Sequence, residues 1–269
     1  MKKTKWTASP YLVWMVAFIA VPLAIVVYFA FTDKAGHFTL ENIMGLGAYT
    51  TVFARSIVLA AIATAICLVL AFPVSYLLSR MRPASQRMMQ MLIMLPMWMN
   101  FLLRTMAWQT LLEKNGVINS ILSFLHLPVL EIINTPYAII LGMVYNFLPF
   151  MVLPIYNVLI KIDPNVINAA RDLGANSVQT FLKVVFPLSI PGVISGITMV
   201  FVPALTTFVI SDLLGGGKIL LIGNVIEQSF KQNSNWHVGS GLSLVLMVFI
   251  IASMALVAKY DKGEGGTAF

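Results

Sequence analysis

Six runs of mainly apolar residues, near 11–32, 56–78, 88–112, 136–160, 188–212 and 241–258, restrict this chain to very few folds. Each is about long enough to cross a bilayer core, which takes roughly 20 apolar residues. Inside lipid a backbone amide finds no water, so a spanning segment must satisfy its own polar groups. A single helix does this. A strand does it only in a closed barrel, whose sequence shows short stretches of alternating polarity, and this chain has none. The expected fold class is an all-α membrane protein with six transmembrane helices. Only 10% of the 269 residues are charged and 59% are hydrophobic, whereas an ordinary soluble domain is about 25% charged.

The excess of base, 17 Lys and Arg against 10 acids, follows topology and is not a nucleic-acid signature. With the N-terminus in the cytoplasm, Lys2, Lys3, Lys5, Arg80, Arg82, Arg87, Lys161, Arg171, Lys183, Lys259 and Lys262 fall inside. Lys34, Arg55, Lys114, Lys218 and Lys231 fall outside, and Arg104 lies within a span. Cytoplasmic loops carry the positive excess, so both termini are expected in the cytoplasm, with Asn176 inside and Asn233 outside. The opening MKKTKW and its apolar run resemble a signal peptide. The run is long and lacks a small-residue cleavage site, so it reads as a retained first helix. Cys67 is alone, and His37, His126 and His237 are scattered over three outer loops, so no disulfide frame or metal set is expected. The GGGK at 215–218 is not a phosphate loop, because that pattern needs Gly at 212 and Ser or Thr at 219, where this chain has Asp212 and Ile219. The glycines are expected to form a tight turn at the outer mouth.

One polar stretch interrupts the apolar pattern: VINAARDLGANSVQTFLKVVFP, residues 166–187. Asp163 followed by Pro164 is a helix start, with Asp as N-cap and Pro in the first position. Gly174 is a natural stop, since it takes positive φ without a Cβ penalty. Between them Val166, Ala170 and Leu173 form an apolar stripe, with Asn165, Asn168 and Asp172 opposite. Ser177 is placed to cap a second short helix limited by Pro187. The expectation is a short helix–turn–helix on the cytoplasmic side. It either rests on lipid headgroups or docks into a cytoplasmic partner.

The same residues resemble the EAA loop of ABC importer permeases, E-A-A-x3-G-x9-I-x-L-P. Ala169, Ala170, Gly174 and Pro187 stand at the family spacing, with Asn168, Val184 and Phe186 in place of Glu, Ile and Leu. LPMWMNFLLRTMAW, MVYNFLPFMVLPIY and SDLLGGGKILLIGNVI resemble the B-type permease subunits of spermidine/putrescine importers, over about residues 10 to 258. The resemblance implies a type I importer permease fold in a bacterial inner membrane. It divides the chain into a first helix and outer loop (1–50), a type-1 transmembrane domain (51–258) with the coupling loop at 163–187, and a short cytoplasmic tail (259–269). It implies a second homologous permease, two cytoplasmic ATPase subunits that hold ATP and Mg, and an external polyamine-binding protein. No cofactor is implied on this chain. Asn168, Ala169, Ala170, Arg171, Asp172, Gly174 and Pro187 would couple to the ATPase.

A charge at the bilayer centre costs about 2.5–3.5 kcal/mol on insertion scales, so Arg104 and Asp212 should each face protein, water or a partner. Two readings stand: Arg104 and Asp212 pair with each other or Asp212 simply lies in the outer interface, or Asp212, ending the fifth span, receives a cationic substrate. In the second, Phe208 one turn earlier offers an aromatic face, and Tyr145 and Asn146 add polar groups at mid-depth. Ferric ion, thiosulfate or thiamine are alternative solutes for such a permease. A secondary transporter is a weaker alternative, since it needs intramembrane ionisable groups for a coupling ion. An intramembrane enzyme lacks a nucleophile–base pair or a metal set.

Overall fold

The computed structural model describes residues 9–231 and 235–261. Lys2, Lys3, Lys5, Lys262, Asn233 and most of the 259–269 tail lie outside these residues. The described residues are helical apart from loops and one isolated bridge between Thr32 and Phe38. The first span, α1 (Pro10–Ala30), carries a π turn at Val16–Ala20. Next come α2 (Glu41–Met44) and the long α3 (Thr50–Ser79). Then follow α4 (Pro83–Met94), α5 (Phe101–Leu112) and α6 (Val117–Phe124). The central helix is α7 (Pro136–Leu159). The polar stretch forms α8 (Pro164–Asp172) and α9 (Ser177–Thr180), which lead into α10 (Phe186–Thr206). The chain ends with α11 (Val209–Gly215), α12 (Ile222–Lys231) and α13 (Trp236–Asp261).

Five helices among the described residues are long and apolar enough to cross a membrane, and a sixth span forms only if a bent pair counts as one. That pair holds the expected third run, 88–112. It is not one helix but two arms, Pro83–Trp98 and Phe101–Phe124, meeting at 87°. The break follows from two residues. Pro96 has no N–H to continue the ladder, and the chain tightens there into a 3₁₀ turn at Leu95–Trp98. Asn100 then starts a new helix, its side-chain oxygen accepting from the amides of Leu102 at 2.8 Å and Leu103 at 3.4 Å.

The expected fifth run, 188–212, is displaced in the other direction. The rod runs Ser177–Thr206 over 30 residues and stops where Thr207 turns extended, at ψ 139°. Asp212 therefore lies on the separate α11 and not at the end of a span. Pro187, expected to limit a short helix, sits inside the rod. A π turn at Phe181–Val185 precedes it, with the Phe186 amide bonded five residues back to Phe181. The wider turn gives the proline ring the room a regular turn denies it.

The core is the seam of α3, α7 and α10. Ala60, Ala63, Cys67, Ala71 and Ser75 recur every three or four residues along one face of α3, and all are fully buried. Small side chains let two backbones approach where lipid supplies no hydrophobic drive between helices. The Ser75 hydroxyl donates across this seam to the Val152 carbonyl at 2.9 Å. On the other flank, Gly192 and Gly196 of α10 face α7. A Cβ at Gly192 would stand 2.8 Å from the Pro154 carbonyl oxygen, and one at Gly196 2.6 Å from the Met151 sulfur. Pro149 and Pro154 lie within α7, and Pro154 leaves no amide for the carbonyl a turn earlier. At the outer end, the Ser56 hydroxyl of α3 accepts the Ile222 amide at 2.8 Å and so pins the start of α12.

Gly192→Leu meets backbone and not a flexible side chain, so it should lower the unfolding temperature in detergent, by an overpacking cost of about 1–3 kcal/mol. Gly45→Ala, where a Cβ meets nothing within 4 Å, should leave it unchanged. Equal melting of the two variants would show that the α7–α10 contact is not close.

Candidate functional site

Two surfaces at opposite ends of the seam carry the functional groups. At the end assigned to the cytoplasm, α8 joins α7 to the α9–α10 rod. The Asp163 carboxylate accepts the Asn165 amide at 2.9 Å, and Pro164 occupies a position whose amide has no helical partner anyway. The far end closes as a Schellman motif. Gly174 has φ +88°. Its amide bonds the Arg171 carbonyl at 2.9 Å, and the Ala175 amide bonds the Ala170 carbonyl at 3.1 Å. The next cap falls one residue before the expected Ser177. Asn176 accepts the Gln179 amide at 2.8 Å, and Gln179 accepts the Asn176 amide at 3.0 Å, a capping box that leaves Ser177 as the first helical residue.

Of the expected apolar stripe, Val166 and Leu173 are exposed and Ala170 is half-buried. Ile167 is the buried residue of α8, at 4% exposure, and lines a crevice with Tyr76, Leu159 and Val185. Anchoring by Ile167 turns Val166, Ala169 and Leu173 outward at i, i+3 and i+7. Leu173 is 90% exposed and Val166 45%. Asn168, Ala169, Arg171, Asp172, Gly174 and Pro187 are also exposed, and Ala170 is half-buried.

At the outer end, α11 and α12 are tied together by Asn224, which is 1% exposed. Its oxygen accepts from the Ser211 hydroxyl at 2.6 Å and the Leu221 amide at 2.9 Å. Its amide nitrogen donates to the Phe208 carbonyl at 3.1 Å and to one Asp212 oxygen at 2.6 Å. Asp212 itself is exposed. Gly216 and Gly217, with φ of 60° and 68°, turn the chain after α11 and so let α12 fold back on it. Beside this network lies a groove of about 490 Å³ lined by Phe208, Ile226, Leu246, Met247, Ile250 and Glu227, among others. Glu227 pairs with Lys231 one turn on, at 3.0 Å.

The structure thus brings Asp212 and Phe208 together and adds two residues that sequence reasoning missed, Asn224 and Glu227. Both sit in SDLLGGGKILLIGNVIEQ, where only the three-glycine turn hinted that α12 returns to α11. The pairing of Arg104 with Asp212 does not form. Asp212 is satisfied by Asn224, and Arg104 makes no ion pair among the described residues. Arg104 is 8% exposed with its Nε unbonded. Tyr145 stacks edge-on against Trp108, with ring centroids 5.2 Å apart. Asn146 is 1% exposed and turns its amide back to the Gly142 carbonyl at 2.9 Å.

The seam of spanning helices and the capped cytoplasmic loop define a type I ABC importer permease. Residues 63–262 match the family of binding-protein-dependent transport system inner membrane components, and the chain belongs to that family. Among curated proteins it is 37% identical to the spermidine/putrescine transport system permease protein PotB of Haemophilus influenzae, over 97% of this chain and 95% of that one. It is also 37% identical to PotB of Escherichia coli, over 91% of this chain and 92% of that one. Among solved structures it resembles a bacterial ABC transporter involved in the import of the acidic polysaccharide alginate, with a TM-score of 0.81 at 14% identity, covering 98% of this chain and 97% of that one. The chain is a multi-pass transport component of the inner membrane rather than an enzyme, and it works with a partner permease, an ATPase and a periplasmic binding protein.

Although the residue as a whole is exposed, partial desolvation of its carboxyl, and then the charge of Glu227, raise Asp212 from its ordinary value, against the Asn224 amide and Lys231, which pull it down. A raised carboxyl stabilises the fold when protonated, and that contribution is lost as pH rises through its folded value. At neutral pH the ionised group opposes folding. Asp212→Asn keeps an oxygen for Asn224 and drops the charge. Its melting temperature should equal or exceed the parent's at neutral pH, with the gap closing as pH falls into the ordinary carboxylate range. A parent that is more stable at neutral pH would reverse this assignment.

Proposed function

We propose that this chain is the permease subunit of an ATP-driven importer of polyamines, spermidine or putrescine. It forms half of the translocation pathway and couples to a cytoplasmic ATPase through the 163–187 loop. The observation that carries the substrate class is the outer groove, where an apolar wall containing Phe208 meets Glu227, with Asp212 close by. A polyamine needs both features, apolar contact for its methylenes and acids or aromatic faces for its ammonium groups. Fold alone does not choose the cargo: the similar alginate transporter handles an acidic chain. The PotB relatives, at 37% identity over nearly the whole length, favour the polycation.

The partners in this reading are a PotC-like second permease, two PotA-like ATPase subunits holding ATP and Mg, and a PotD-like binding protein outside. Asn168, Ala169, Arg171, Asp172 and the outward Val166 and Leu173 meet the ATPase, with Asp163 and Gly174 fixing the two ends of α8 and Pro187 lying in the rod that follows. Ala169 is small enough for close approach, and Leu173 supplies the apolar anchor. A short helix with both ends capped transmits a push that a loose loop would absorb.

Vesicles holding the complete complex should take up labelled putrescine or spermidine only with ATP and the binding protein. In the same vesicles Gly174→Asp isolates the coupling. Its Cβ meets nothing within 4 Å, so the cost arises from φ +88°. That cost is about 1 kcal/mol or more for a non-glycine residue, or about fivefold or more in a coupled rate. Uptake and binding-protein-stimulated ATPase should fall together while the subunit still inserts. Normal values of both would remove α8 from the coupling path.

A further inference from the structure

We propose that Lys231 is a resident ammonium on Glu227, displaced by an ammonium of the substrate when the substrate enters the outer groove. This rests on the polyamine reading above and assigns the groove a mechanism of occupancy. Among the described residues, Glu227 is the only charged one lining the groove. Its side chain is 20% exposed, so it needs a counter-charge when ionised. Lys231 supplies that charge from α12 itself, at 3.0 Å, while remaining 71% exposed. An exposed lysine on a flexible four-carbon stem leaves its partner at little cost, because such a pair is weak in water.

The chemistry of the pair also identifies the competitor. A lysine side chain is a four-methylene chain ending in an ammonium, the same aminobutyl unit that makes up putrescine and one arm of spermidine. A site that accepts Lys231 on Glu227 already accepts an alkylammonium. The groove then extends from Glu227 along Ile226, Leu246, Met247 and Ile250, an apolar wall for the methylenes that follow. Asp212 lies close enough to respond to the charge of Glu227 and keeps one oxygen outside its bond to Asn224. Exchange of one ammonium for another keeps Glu227 neutralised before, during and after passage. The substrate is attracted without being trapped, because Lys231 returns to its place.

The test uses the complete complex without added binding protein, so that the permease's own affinity is read. Cys67 is buried, which leaves a low background for Ile226→Cys, a thiol placed on the groove wall. Putrescine should protect that thiol from a soluble maleimide. Lys231→Gln removes the competitor and should lower the half-protecting concentration by about two- to fivefold, the equilibrium worth of an exposed ion pair. Glu227→Gln should raise that concentration, and Lys231→Gln added to it should have no further effect. Glu227→Asp, which keeps the charge but shortens the reach, should retain protection and serves where Glu227→Gln fails to assemble.

An equal effect of Lys231→Gln with and without Glu227 would mean general charge repulsion and would overturn the exchange. A thiol shielded in every variant and indifferent to putrescine would mean that a lipid tail or the partner permease fills the groove, which also overturns it. If the unmodified complex takes up no polyamine, the underlying substrate reading fails instead, and the uptake measurement shows this separately.

Discussion

Helix α7 approaches α3 and α10 within backbone contact distance, and the remaining architecture hangs on that approach. Lipid gives two apolar helices no reason to leave it for each other, so their association rests on packing and on polar bonds across the seam. Alanines and Cys67 on α3, and Gly192 and Gly196 on α10, remove the bulk that would hold the helices apart. Ser75 adds a hydrogen bond to the Val152 carbonyl. α7, with Pro149 and Pro154 inside it, is therefore held between the two. Its cytoplasmic end carries α8. The α3 and α10 that flank it lead at their outer ends to Ser56, which pins α12, and to Thr207, where the chain breaks before α11.

Rigidity at the seam gives meaning to the caps at the two surfaces. The N-cap of Asp163 and the positive φ of Gly174 hold α8 as a short rod with only Ile167 turned into the bundle. The outward stripe of Val166, Ala169 and Leu173 lies opposite Ile167, which lines a crevice with Tyr76 and Ser79 of α3 and Leu159 of α7. At the outer surface Asn224 performs a comparable task. One buried amide holds Ser211, Leu221, Phe208 and Asp212, so the acid is oriented by α12 and not by its own helix.

The elements legible in the sequence were those set by local chemistry. Asp163-Pro164 and Gly174 defined α8 to within a residue, because capping depends on neighbours in the chain. Apolar length located five of the spans for the same reason. The misplacements came from non-local effects. Pro96 and Asn100 break the third run between them. Thr207 ends the fifth span six residues before its apolar composition does. One reading paired Asp212 with the other charge in the apolar region, Arg104, but α12 folds back and supplies a neutral amide first. Glu227 escaped notice because an i, i+4 Glu–Lys pair reads as an ordinary solvated helix face. Only the fold shows that it borders an apolar groove.

The central claim is that ATP hydrolysis on a partner is felt at the outer groove through α8. The most direct measurement is the labelling rate of Ile226→Cys in the complete complex, taken without nucleotide and with the ATPase trapped in its closed state. The claim requires the rate to differ between the two states in the otherwise native chain, and the difference to vanish when Gly174→Asp is added. A rate that ignores the nucleotide state, or a change that survives Gly174→Asp, would contradict it.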